Sequence, residues 1–192
     1  MSTSPADVRA ALPPWSVIAE RRLAHVGRVV DQLDGWARER GVGEAEALRW
    51  RRAALLHDAL RDADEATLRR YEPAGTWPFK TWHGPAAAAA AAGDGERDAG
   101  VLAAVRYHSL GFAGWDDVGR MLYLADYLEP GRPYDRPRLD ALAARVPAEP
   151  AAVLREVAAL RIGWRVTEGG LIAKETWEFW NALAAASFSS SR

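Results

Sequence analysis

The chain has 192 residues, enough for one domain with a buried core, and its formal net charge of −1 gives no overall pull toward nucleic acid or an anionic membrane. It has no cysteine, which excludes a disulfide framework and any thiolate metal site. The start, MSTSPADVRAALPPW, lacks a basic segment followed by an apolar run, and the alanine block at 86–92 is too short to cross a bilayer, so the expectation is a cytoplasmic protein without a membrane partner.

Residues 1–14 read as an N-terminal extension. A long helix is predicted from about Trp15 to Arg40, with Leu23, Val26, Val29, Val30 and Leu33 as its apolar stripe and Gly41 ending it. A second is predicted from about Glu44 through Arg61, with Leu48, Leu55, Leu56 and Leu60 apolar. Asp64 is placed to cap a short helix over 65–71, and 72–82, with two prolines and a glycine, reads as a loop. Pro85 suits the first turn of a helix through the alanines, and GDGERD at 93–98 turns the chain. Helices are predicted at 98–108, 116–128, 138–145, 150–166 and 173–186, with a Pro- and Gly-bearing loop at 129–137 and a flexible tail at 187–192. The helical period dominates throughout, so the fold class is all-α, one domain over 15–186. The nine tryptophans read as core and helix-contact residues.

Six polar residues stand against this apolar pattern: His25, His57, Asp58, His83, His108 and Asp126. Singly, each has an ordinary explanation as a hydrogen-bonded core histidine, a cap or half of an ion pair. Together they include every histidine of the chain and offer only nitrogen and carboxylate oxygen, a donor set suited to iron, manganese, zinc, cobalt or nickel. His57 and Asp58 are adjacent and point ~100° apart on a helix, so both can lean toward one cation between them, and Asp58 has two oxygens with which to bridge two. Arg61 and Asp62 follow at the i+3 and i+4 positions from Asp58. They fit a surface ion pair, or a phosphate clamp beside a carboxylate that handles a proton.

The order His25, His57-Asp58, His83, His108, Asp126 resembles that of the HD-domain metal phosphohydrolases. The local stretches ALLHDALRD, WHGPAA, AVRYHSLG and LYLADYLEPGR are similar to the YqeK-like family, symmetrical diadenosine tetraphosphate hydrolases. That resemblance implies an all-α HD domain with two metal ions, usually iron. His25, His57, Asp58 and Asp126 would hold the first ion and His83 and His108 the second, with Asp58 bridging. A bridging hydroxide would attack an inner phosphorus of the small-molecule substrate and give two ADP. The family's lysine-aspartate pair after HD stands here as Arg61-Asp62, and its two threonines after RYH stand as Ser109-Leu110. Arg61 would steady phosphate charge, and Asp62 would orient the water or protonate the leaving phosphate. Arg132, in the EPGR loop, is a second candidate phosphate contact, otherwise a solvated loop arginine. Lys80 and Arg106 are weaker candidates.

Other classes share parts of this pattern. The same His/Asp order occurs in HD-fold di-iron oxygenases, and a broader nucleotide phosphohydrolase or phosphodiesterase uses the same metal site with a different pocket. The cyclic-dinucleotide phosphodiesterases are set apart by an HHExxxGxGYP stretch, in whose place this chain has HGP followed by alanines. A nucleotide sensor with structural metals is the non-enzyme alternative, but six ligands over two ions leave open positions, which favours chemistry.

Overall fold

The computed structural model describes residues 2–72 and 77–189. Among them the elements are α1 (Pro5–Ala11), α2 (Glu20–Glu39), α3 (Glu44–Leu56), α4 (Glu65–Tyr71), a 3₁₀ turn at Phe79–Thr81, α5 (His83–Gly93), α6 (Ala99–Tyr107), α7 (Asp117–Leu128), α8 (Arg136–Arg145), α9 (Pro150–Thr167) and α10 (Lys174–Ser189). The fold is an all-α bundle, and no helix among the described residues is long and apolar enough to cross a membrane.

Helix α7 is the axis of the bundle. It is buried almost all round, from Val118 through Leu128, and α2, α3, α6, α8 and α9 pack about it. The α2 stripe of Leu23, Val26, Val29, Val30 and Leu33 is buried as expected. Of the stripe expected after Glu44, Leu60 is buried and Leu55 and Leu56 pack against the core, but Leu48 departs from it. Leu48 is 48% exposed, while Trp50, Ala53 and Ala54 face the core, because the small alanines let α3 lie close to α2, α6 and α7. Helix α5 buries most of its alanines against α6 in the same way.

Two helix ends differ from the sequence pattern for one reason. Helix α2 begins at Glu20 rather than near Trp15, and α3 ends at Leu56 rather than at Arg61. Val17 N–H donates to Ala59 O (2.7 Å), and Asp62 N–H donates back to Val17 O (3.2 Å). Residues 57–63 close instead as tight turns, with Ala59 bonded to Leu56, Arg61 to Asp58 and Ala63 to Leu60. The chain before α2 thus takes backbone partners that a continuing α3 would have used.

The extension at the N-terminus is ordered against α2. Ser4 and Asp7 form a capping box on α1, Val8 is fully buried beside Leu23 and Val26, and Thr3 donates to Asp31. At the other end α10 continues to Ser189, past the expected stop at 186; residues 190–192 of the expected tail lie outside the described residues, as do 73–76 of the expected loop and Met1.

Asp64 caps α4 through Thr67 N–H, as expected, and Asp98 caps α6 through Gly100 and Val101. Arg49 ties the starts of α3, α6 and α7 together, binding Glu46 (2.6 Å), Asp98 (2.7 Å) and Asp116 (2.7 Å). The hydrogen bond from Arg49 holds the Asp98 carboxyl well below its ordinary range. A depressed carboxyl contributes stability above its unfolded pKa, about 4, and loses it as pH falls through the folded value. We therefore expect Asp98→Ala to lower the unfolding free energy by about 1–2 kcal/mol at neutral pH, with a smaller difference in acid. Urea denaturation at pH 7 and pH 3 checks this; an equal loss at both would remove the charged cap as its cause.

Candidate metal centre

The six residues come from five helices and meet in one place. His25 projects from the middle of α2, His57 is the residue that ends α3 with Asp58 in the turn after it, and His83 opens α5. His108 ends α6, and Asp126 lies in the last turn of α7. Three helix C-termini, those of α3, α6 and α7, therefore end at the cluster, and their partial negative charge favours a cation.

The imidazoles are fixed by their outer nitrogens. Nδ1–H of His57 donates to Ala54 O (2.7 Å), and Nδ1–H of His108 donates to Val105 O (2.8 Å). Nδ1 of His25 faces Glu129 Oε1 (3.2 Å). The bonds of His57 and His108 assign their tautomers and turn their Nε2 lone pairs inward. His25 Nε2 and His57 Nε2 are then 3.3 Å apart, and His83 Nε2 and His108 Nε2 3.0 Å. Facing nitrogens at such distances require a proton or a cation between them.

Asp58 stands between the two pairs. Its Oδ2 faces His57 Nε2 (3.7 Å) and His25 Nε2 (3.9 Å); its Oδ1 faces His83 Nε2 (3.2 Å) and His108 Nε2 (3.8 Å). Asp126 Oδ1 is 3.3 Å from His25 Nε2. The donors thus divide into His25, His57 and Asp126 on one side and Asp58, His83 and His108 on the other, each set with ligand atoms within 4.8 Å of one another.

Burial pushes the His57 imidazole down and the His108 imidazole down to about 3, so both are neutral near pH 7. Burial alone would raise Asp58 and Asp126. The facing histidines outweigh it for Asp58, and His25 with Arg132 for Asp126, so both carboxyls lie well below their usual range. Burial works against protonation of His25 too, but Asp126, Glu129 and Asp58 raise it to about 9. Neutral imidazoles beside ionised carboxylates are the protonation states in which these groups bind metal, and the His25 proton is the one a cation would displace. The donor set fits two cations.

The other candidate residues are placed less uniformly. Arg61 reaches the cluster: its NH1 donates to Lys80 O (3.0 Å), lies 3.4 Å from His83 Nδ1, and its Nε is 4.0 Å from Asp58 Oδ1. Asp62 does not reach it. Its carboxylate accepts from Ala19 N–H (2.9 Å) and Arg22 Nε (2.8 Å), at the start of α2. The i+4 spacing that put it beside Asp58 requires a helix, and α3 has already ended. Arg132 is no free loop arginine; its NH2 donates to Asp126 Oδ1 (2.5 Å) and Asp126 O (2.7 Å). Arg106 pairs with Glu72 (3.0 Å).

Two residues at the centre escape the sequence pattern. Glu129 is buried and bound by Arg28 Nε (2.5 Å) and Gly131 N–H (2.6 Å) in addition to its contact with His25. It could have been suspected, because an anion just past the C-terminus of α7 is at the unfavourable end of the helix dipole. Arg161 on α9 carries no such sign, yet its NH1 is 3.6 Å from Asp126 Oδ2. Beside the cluster opens a cavity of about 1130 Å³. Its wall bears six basic side chains, Arg61, Lys80, Arg132, Arg161, Arg165 and Lys174, against two acidic ones, Asp126 and Glu175.

The model of the family described as "HD domain" matches residues 22–131. The crystal structure of a predicted HD superfamily hydrolase involved in NAD metabolism, from Clostridium acetobutylicum, aligns over 88% of this chain and 92% of its own, with a TM-score of 0.73 and 22% identity. At that identity the likeness is one of fold. No curated relative matches the sequence. Because the matched segment spans more than half of the chain and contains all six clustered histidines and aspartates, this protein belongs to the HD domain family.

Proposed function

We propose that this protein is a metal-dependent phosphohydrolase of the YqeK-like kind that cleaves diadenosine tetraphosphate symmetrically into two ADP. The observation that carries the proposal is Asp58, whose two oxygens face opposite histidine pairs beside a cavity whose charged side chains are mostly cations. His25, His57 and Asp126 would hold one ion, His83 and His108 the other, and Asp58 would bridge. The donor chemistry suits iron first, with manganese, cobalt, nickel or zinc also accommodated. Two bound cations would acidify a water and neutralise phosphoryl oxygens.

The chain's own residues then do the rest. Arg61, anchored on Lys80 O, presents its guanidinium beside His83 where a phosphate next to the metals would lie. Arg132 and Arg161 hold the two oxygens of Asp126 from outside and carry positive charge into the cavity wall. Asp62 acts at a distance, by tying the 57–62 turn to α2, and not as a proton carrier. Four phosphates linking two nucleosides are long and strongly anionic, and the cavity is both larger than the ~300–1,000 Å³ typical of small-ligand sites and rich in base. A di-iron oxygenase acting on a small organic molecule has no need of such a wall.

The test is a substrate panel with metal content measured on the same sample: diadenosine tetraphosphate, shorter and longer dinucleoside polyphosphates, ATP and NAD. ADP is expected as the sole product of diadenosine tetraphosphate. If the metal-loaded wild type makes none, or makes as much as an Asp58→Ala variant, the proposal fails. Glu129 gives a second check. Its carboxylate orients His25, so Glu129→Gln is expected to weaken metal binding about 10- to 100-fold with the helical content unchanged. Competition against a chelator, read alongside circular dichroism, measures both.

A further inference from the structure

Arg161, Trp164 and Arg165 occupy one face of α9, at the i, i+3 and i+4 positions, and all three line the cavity. The inner end of this row is fixed. Arg161 lies over the Tyr123 ring at 4.4 Å, donates to Ser109 O (3.3 Å) and stands 3.6 Å from Asp126. Trp164 and Arg165 lie one turn further out, about 5 Å along the helix axis. Trp164 is 60% exposed, an unusual state for so large an apolar side chain.

The segment after α9 is bent back to face it. Gly169, at φ 67°, ends the helix, with Gly169 N–H bonded to Val166 O (3.0 Å) and Gly170 N–H to Arg165 O (2.9 Å). This is a Schellman closure, and it requires the left-handed backbone that glycine supplies. It brings Leu171, 84% exposed, and Lys174 onto the same cavity wall. A cation at the metal end, then an indole face with Arg165 at the next turn and Lys174 on the same wall, repeats the order phosphate, then base and sugar, along a nucleotide.

We infer that Trp164 is the stacking surface for one nucleobase of the substrate, with Arg165 and Lys174 holding the phosphate next to that nucleoside. This rests on the phosphohydrolase proposed above. An indole stacks on any base, so the subsite supplies affinity for a nucleoside without choosing strongly among bases.

Steady-state kinetics with diadenosine tetraphosphate on wild type, Trp164→Ala and Trp164→Phe test it, with inorganic tripolyphosphate as a competing ligand that has no base. Trp164→Ala is expected to raise KM roughly tenfold with kcat within about twofold, and Trp164→Phe to restore most of the affinity. Tripolyphosphate should inhibit all three proteins equally. An unchanged KM in Trp164→Ala overturns the subsite, as does a parallel weakening of tripolyphosphate. A shift in oligomeric state by size-exclusion chromatography with KM unmoved also overturns it and assigns the indole to a subunit contact. A metal-loaded wild type that cleaves no dinucleoside polyphosphate overturns the phosphohydrolase and the subsite together.

Discussion

Asp58→Ala is expected to reduce ADP formation by about 10³-fold or more, ~4 kcal/mol of transition-state stabilisation, while the protein stays folded. The loss follows from position. Asp58 alone among the described residues faces both histidine pairs; without it His83 and His108 lose their carboxylate and His25 and His57 keep only Asp126, so the metal content per chain should fall by at least half. The stability expectation follows from the same contacts. The facing histidines outweigh burial and hold the Asp58 carboxyl well below its usual range, so above about pH 4 the ionised group contributes to the stability of the metal-free fold. The metal-free variant should therefore melt below the metal-free wild type and still unfold cooperatively. Metal analysis, product assay and a thermal melt on the same two samples decide the matter. Loss of the folded state without metal would make Asp58 a structural residue first.

Gly84→Ala is the second large effect, and it comes from one methyl group. A Cβ on Gly84 would lie 2.9 Å from Arg106 O, 3.1 Å from Val105 O and 3.3 Å from His108 Cε1. Two of these atoms belong to the α6 backbone and cannot swing aside. Helix α5 must then move off α6, taking His83 away from His108, whose Nε2 atoms are 3.0 Å apart. Overpacking of this kind costs about 1–3 kcal/mol, or several degrees in Tm for a chain of this size. Displaced ligands near the reacting groups cost about 10²-fold in rate. Gly35→Ala on α2 is the control: nothing lies within 4 Å of its Cβ, so it should be neutral or stabilise by up to ~1 kcal/mol. Equal behaviour of the two variants would mean that the α5–α6 approach does not set the geometry of the centre.

The cluster was legible in the sequence because its members contrast with their setting. A histidine or aspartate among leucines and alanines stands out without any knowledge of the fold, and His25, His57, Asp58, His83, His108 and Asp126 all converge. The helices were legible for the complementary reason, since their period is local. What failed depended on distant partners. The end of α3 is decided by Val17, some forty residues earlier, and with it the direction of Asp62. Leu48 looked like core by type, but alanines set the close approach of α3. Arg161 is an arginine on an ordinary amphipathic helix until α9 is packed against α7 and Asp126 comes within reach. Glu129 shows no role from its place in LYLADYLEPGR, because its partner is one particular nitrogen of His25.

The segment matched to the family ends at residue 131, whereas Arg161, Trp164, Arg165, Leu171 and Lys174 all lie beyond it on α9, α10 and the bend between them. The six candidate ligands and the far wall of the cavity therefore lie on different stretches of chain. Apart from Arg161, which stands 3.6 Å from Asp126, the wall can be remodelled without touching a ligand, so relatives that share the centre are free to diverge in the molecule they accept. Grafting the stretch that follows Arg161 between two such relatives should carry preference with it and leave the reaction in place.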